Sequence, residues 1–169
     1  MYEPLLLFYV GIVLTLNGLW MLGHIADREI LLINFLVGIL FLRIANELAF
    51  GEVADATSVQ QATFSLMFAF TYMWVAFNRL MNNNGRGLGW FSLMVAVTAQ
   101  WVSLGMLASS GTDLWQVWRA LSWTAWALLW LLFFLLQVIQ VPWTRLTGWM
   151  SIVQGVLTGW LPAMLLFTI

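Results

Sequence analysis

A single histidine, His24, no cysteine, and serines at Ser65, Ser92 and Ser103 with no nearby base leave this chain without the parts for bond-making chemistry. A nucleophile needs a base within hydrogen-bond reach, and a metal needs a cluster of ligands; neither set can be assembled here. The expectation is no enzyme, no metal and no cofactor, with the three serines bonded back to carbonyls of their own helices. What the sequence does hold is neutral amides and aromatic faces. Asn17, Asn34, Gln100, Gln137 and Gln154 sit inside long apolar stretches, each both a donor and an acceptor. Trp123, Trp126 and Trp130 are spaced three and four apart, which puts them on one stripe of a helix.

Two readings of that stripe compete. Tryptophan in membrane helices gathers at the water interface, so a stripe running to mid-span needs another reason. Large aromatics dominate most cores, which favours packing; a narrow passage for something small is the alternative, and the rest of the chain favours it. Asn17 closes a second stripe formed with Leu7, Val10 and Leu14. A buried amide taken singly reads as a hydrogen bond between helices, whereas Asn17 and Gln154 together fit a polar route equally well. Arg43 and Glu47, four residues apart, read as an ion pair near the outer interface, with a vestibule or subunit contact as the alternative. No carboxylate chain, basic cluster or histidine relay crosses mid-span. Proton pumps and ion-coupled carriers need such groups, so a passive route for neutral solutes fits better.

These side chains must be positioned by membrane helices. The chain is 63% hydrophobic and 8% charged, with a net charge of −1 that offers nothing to nucleic acid. The apolar start, with Glu3 its only early charge, lacks the basic n-region of a cleavable signal. Six stretches reach the length of a bilayer-spanning helix, at about 4–22, 30–50, 58–79, 88–108, 115–139 and 146–168. The breaks carry turn chemistry, as in the run from Asn82 to Gly87 and at Pro142. The expected fold is therefore all-α: one integral membrane six-helix bundle filling residues 1–169. The chain has no lysine. Arg28, Arg79, Arg86 and Arg145 mark the first, third and fifth loops, while Glu3, Glu52, Asp55, Asp113 and Arg119 fall on the other side. The positive-inside rule puts the arginine-rich loops in the cytoplasm and both termini outside. His24 and Asp27 then belong to a cytoplasmic turn. Gly11 and Gly18, and Gly148, Gly155 and Gly159, permit close helix approach.

Several strings together resemble the AmiS/UreI family of amide and urea channels. They are Tyr9-Val10-Gly11-Ile12-Val13-Leu14 with Asn17-Gly18, Asn34-Phe35-Leu36-Val37-Gly38, Phe68-Ala69-Phe70-Thr71-Tyr72, the run from Trp123 to Trp130, and the run from Gly155 to Pro162. They occur in order over nearly the whole chain. The resemblance implies a bacterial cytoplasmic-membrane protein, assembled as a homohexamer with one pore per protomer. That pore passes urea or short aliphatic amides down their gradient, alongside a cytoplasmic amidase or urease. By position, the pore-lining residues fall on Leu7, Val10, Leu14 and Asn17, on Phe68 and Tyr72, on Trp123, Trp126, Leu129 and Trp130, and on Gln154. The proton-gated urea members carry a glutamate at the position of Gln154 and longer outer loops with several histidines. Here the outer loops contain none, so gating by outer histidines is not expected. The stretches from Phe68 to Ala76 and from Gly87 to Phe91 look closer to the AmiS branch, which leans the expectation toward aliphatic amides. A protein of another class, a non-transporting structural or regulatory subunit whose tryptophans bind a partner helix or lipid, is the alternative.

Overall fold

The computed structural model describes residues 2–168, which form six helices: α1 (Glu3–Met21), α2 (Asp27–Phe50), α3 (Ala56–Leu80), α4 (Arg86–Ser109), α5 (Leu114–Ile139) and α6 (Thr144–Thr168). They begin one to three residues before the expected starts, and α2, α3 and α5 open on polar first turns or caps. In α2 the Glu29 carboxylate reaches back to accept the Ala26 N–H at 3.2 Å. Ahead of α3, Asp55 accepts the Ser58 N–H at 2.7 Å and the Ser58 hydroxyl accepts the Asp55 N–H at 2.8 Å, a reciprocal box. Asp113 opens α5 by accepting the Trp115 and Gln116 N–H groups at 2.9 and 3.3 Å. These bonds hold both exposed carboxyls below the usual carboxylate range, the Ser58 N–H acting most on Asp55 and the Gln116 N–H most on Asp113.

Five helices, α1, α2, α4, α5 and α6, are long and apolar enough to cross a membrane. α3 has the length, at 25 residues, but not the hydropathy. Gln60, Gln61, Thr63, Ser65, Thr71 and Asn78 dilute its apolar run. It differs in this from the six uniform spans expected, and the reason is positional. Ser65, Thr71 and Asn78 are buried in the interior, where partners other than lipid meet them, whereas Gln60, Gln61 and Thr63 stay exposed near the start of the helix.

The helices pair as α1 with α6, α2 with α3 and α4 with α5. The α1–α6 contact is backbone on backbone. A Cβ at Gly159 would lie 2.5 Å from the Gly11 N and 2.6 Å from its Cα, and one at Gly155 would lie 2.6 Å from the Thr15 hydroxyl. Only glycine permits this approach. It also lets Ser151 donate across to the Leu14 carbonyl at 2.7 Å. Between α4 and α5, Ser103 donates to the Ala120 carbonyl at 2.7 Å and lies 2.7 Å from the Thr124 hydroxyl. Ser103 thus ties two helices together, where back-bonding within its own was expected. Two segments depart from α-geometry: the last turn of α5, Leu135–Ile139, and the middle of α6, Gly155–Trp160, are π-type turns. Such turns rotate side chains out of register and recur at functional sites.

Candidate pore

Phe68, from the middle of α3, is the hub of an aromatic box. Its ring centroid lies 5.0 Å from that of Trp130, 5.2 Å from Trp126 and 6.0 Å from Trp123 on α5. On the other side it lies 5.5 Å from Phe41 on α2 and 6.3 Å from Tyr72 on its own helix. Most of these contacts are tilted or edge-on, as the ring quadrupoles prefer. All these rings belong to one buried cluster that also contains Leu7, Val10, Leu14 and Leu129.

The indole N–H groups are engaged elsewhere. Trp126 donates to the Thr158 hydroxyl at 2.8 Å, and Thr158 in turn donates to the Gln154 carbonyl at 2.6 Å. Trp130 donates to the Thr71 hydroxyl at 3.1 Å, and Thr71 donates to the Met67 carbonyl at 2.7 Å. Each indole is fixed by a threonine that is itself anchored to a helix, so each presents a ring face rather than its donor to the space between.

Asn17 and Asn34 face each other across α1 and α2 in a reciprocal amide pair. Asn34 donates to Asn17 Oδ1 at 2.7 Å and Asn17 donates to Asn34 Oδ1 at 3.1 Å. Asn34, wholly buried, also donates to the Ile30 carbonyl at 2.9 Å. An amide has two N–H hydrogens. Asn34 uses both, while Asn17 uses one and keeps the other. The Tyr72 hydroxyl makes no side-chain hydrogen bond among the described residues.

Between these groups lies a cavity of about 20 Å³, lined by Leu14, Asn17, Phe68, Thr71, Tyr72, Val75, Trp126, Leu129, Trp130 and Phe133. It has room for about one water molecule. Of the residues singled out from the sequence, Leu14, Asn17, Phe68, Tyr72, Trp126, Leu129 and Trp130 line it. Leu7, Val10 and Trp123 lie in the same buried cluster without lining this cavity. Gln154 stands behind Trp126, joined to it through Thr158, and its buried Oε1 has no partner among the described residues. Sequence reasoning missed Thr71, Val75 and Phe133. A signal existed for Thr71, because a buried indole N–H demands an acceptor and α3 offers few.

A second and larger cavity, about 330 Å³, shares Val75 and Phe133 with the first and so abuts it. It opens among the turns that follow α1, α3 and α5. Polar side chains interrupt its largely apolar wall: Asn78, Asn84, Gln137 and Thr144 line it, with Asp27 and Arg79. Trp20 donates to the Asp27 carboxylate at 2.6 Å, and the Arg79 guanidinium stands 3.6 Å from that carboxylate and 5.4 Å above the Trp20 ring. This cluster joins the end of α1, the start of α2 and the end of α3. Elsewhere, Arg43 and Glu47 form an ion pair at 2.9 Å on the outer surface of α2. Among the described residues no group of histidine, cysteine or acidic side chains is placed to hold a metal.

Comparison with known proteins places this arrangement. The model of the AmiS/UreI family of transporters matches residues 3–169. The chain is 37% identical to a putative amidate substrates transporter protein of Mycolicibacterium smegmatis, over 95% of this chain and 74% of that one. It is 31% identical to the acid-activated urea channel of Helicobacter pylori, over 96% of both. The crystal structure of the urea channel from Helicobacter pylori superposes with a TM-score of 0.84 at 32% identity, covering 98% of this chain and 97% of that one. The expectation that this chain stands nearer the amide branch is corrected by these matches. The urea channel aligns from end to end, as the amidate transporter does not, and the solved structures that superpose are urea channels.

Proposed function

Because the chain belongs to the AmiS/UreI family of transporters, a family of multi-pass proteins of the bacterial inner membrane rather than of enzymes, we propose that it is a passive channel for urea and comparably small neutral amides. The observation that carries this reading is the narrow cavity among Phe68, Tyr72, Trp126 and Trp130, which abuts a partly polar vestibule. Urea is planar and uncharged, with four N–H donors and one carbonyl. Its N–H edges suit indole and phenyl faces, and the free N–H of Asn17 and the Tyr72 hydroxyl replace part of its lost hydration. An ion gains nothing comparable from an uncharged slot, and its desolvation is prohibitive. The resting cavity holds about one water, so each solute crosses when a lining ring swings aside.

In this reading α3 crosses the membrane with the other five helices, with Thr71, Tyr72 and Asn78 turned toward the route. The ends bearing Arg28, Arg79, Arg86 and Arg145 face the cytoplasm, as the positive-inside rule favours, and both termini face out. The vestibule is then the inner mouth. The homohexamer and a cytoplasmic urease or amidase that consumes the solute complete the proposal. His24, the chain's one histidine, lies in the turn between α1 and α2, so gating by outer histidines is not part of it.

Stopped-flow light scattering on proteoliposomes under urea, acetamide and glycerol gradients tests this at acidic and neutral pH. The expected result is urea flux well above empty liposomes and above glycerol, alike at both pH values. Equal recovery with and without protein sinks the channel reading and favours a structural subunit.

A further inference from the structure

The inner vestibule holds a buried acceptor with nothing to accept. Gln137 Oε1 is buried and has no partner among the described residues. Gln137 lines the 330 Å³ cavity and sits in the π-type turn Leu135–Ile139 that ends α5. Facing it is Gly85, in the left-handed region at φ +77°, where an added Cβ would fall 2.7 Å from that oxygen. The backbone there leaves the amide its space. Across the cavity Asn78 of α3 is only 3% exposed, and its side-chain amide has no hydrogen bond among the described residues. A buried amide without a protein partner is rare, and its outlet is whatever occupies the cavity beside it.

We infer that Gln137 and Asn78 form a binding station for the permeating solute at the inner mouth, selective for a small planar neutral molecule that offers N–H donors beside a carbonyl. Gln137 Oε1 accepts a solute N–H, and the Asn78 amide donates to the solute carbonyl. The cavity is large against a molecule of four heavy atoms. It meets the constriction at Val75 and Phe133, so a molecule held there is next in line to cross or has just crossed. Molecules that offer only hydroxyls match the pair less well, because a hydroxyl gives one donor where the NH₂ groups of urea give a planar set. The station rests on the channel reading above and adds a second, wetter selection step to it.

Gln137→Met keeps the length and volume of the side chain and removes the acceptor; Asn78→Leu keeps the volume at the other residue and removes the donor. Both go into proteoliposomes beside the wild type, with flux measured against urea concentration, against glycerol and against water. The expected result is a rise of about threefold to tenfold in the half-saturating urea concentration, the size of one hydrogen bond. Maximal urea flux, glycerol flux and water flux stay near wild type. A structural role for the two amides would lower all fluxes together. Well-folded variants with the wild-type half-saturation overturn the station while leaving the channel standing. A wild type that carries no urea brings down the channel reading itself. If one variant fails to fold, the other decides the question alone.

Discussion

At the constriction, the Trp126 and Trp130 donors are held by Thr158 and Thr71, and Asn17 is held by Asn34. One residue layer away, past Val75 and Phe133, the vestibule leaves Gln137 Oε1 without a partner. The same kinds of side chain are thus closed on themselves in one region and open in the other. The difference follows from space. A cavity with room for one water leaves little unpaired beside it, the second Asn17 N–H and the Tyr72 hydroxyl, because little can rotate in to satisfy a polar group there. A cavity of about 330 Å³ admits solvent or solute, and an acceptor can wait there. In the proposed channel the narrow region would select by width and by the faces of its rings, and the wide one by hydrogen bonding.

The comparison breaks most visibly if the narrow region is widened. Trp130→Ala removes a ring that lines the constriction and packs on Phe68 at 5.0 Å. Glycerol flux should rise by at least about tenfold, the scale on which apolar pockets discriminate by size, and the fold should lose about 3–5 kcal/mol. Flux assays paired with thermal melts check both. An unchanged urea-to-glycerol ratio in a folded Trp130→Ala protein would remove this ring from the route.

Thr71→Val is a quieter probe of the same region. It conserves volume and removes the acceptor of the Trp130 indole, leaving a buried N–H unpaired at a cost of about 1–3 kcal/mol. The melting temperature should fall, and urea flux should change because Trp130 is free to turn. The matching intervention in the vestibule is smaller. Asp27 is largely exposed and 3.6 Å from Arg79, so Arg79→Gln should cost no more than about 1 kcal/mol. Neutral-solute flux should change less than about twofold, and salt should erase the stability difference. A large, salt-independent loss of urea flux would mean that Arg79 touches the solute.

Much of the constriction was legible in the sequence because it is periodic. Trp123, Trp126 and Trp130 announce a face by spacing alone, as do Leu7, Val10, Leu14 and Asn17. What spacing cannot say is which member of a stripe reaches the cavity and which packs behind it; Leu7, Val10 and Trp123 belong to the second group here. The vestibule was illegible for a different reason. Its residues come singly from turns and helix ends; Gln137 continues the spacing of Trp123, Trp126, Trp130 and Phe133, but spacing does not say that a cavity opens beside it. The α1–α6 glycines were readable as candidates for close approach, but their pairing with one another is a tertiary fact. α3 shows the reverse case: its low hydropathy marks it as a poor span, yet Ser65, Thr71 and Asn78, half of the polar residues responsible, are buried in the interior.

α3 serves both regions, as α1 and α5 also do, with Phe68 and Tyr72 at the constriction and Asn78 and Arg79 at the vestibule. Its register is set at its start, by the reciprocal bonds between Asp55 and Ser58. Asp55→Ala should therefore loosen the first turn of α3 and give the smallest effect of the set, a modest fall in melting temperature at neutral pH. The Asp55 carboxyl is held below the usual carboxylate range in the folded chain, mainly by the Ser58 N–H. A group depressed in this way stabilises the fold above its unfolded pKa of about 3.9, and that contribution is lost as pH falls through the lower, folded value. Acidification should thus weaken the wild type relative to the variant until the two melts converge below about pH 4. Urea flux reads out the constriction and half-saturation the vestibule. A shift in the first without the second is expected, because Phe68 lies nearer the loosened end than Asn78 does. Equal shifts in both would mean that α3 moves as a rigid rod, and the two regions would then have to be treated as a single gate.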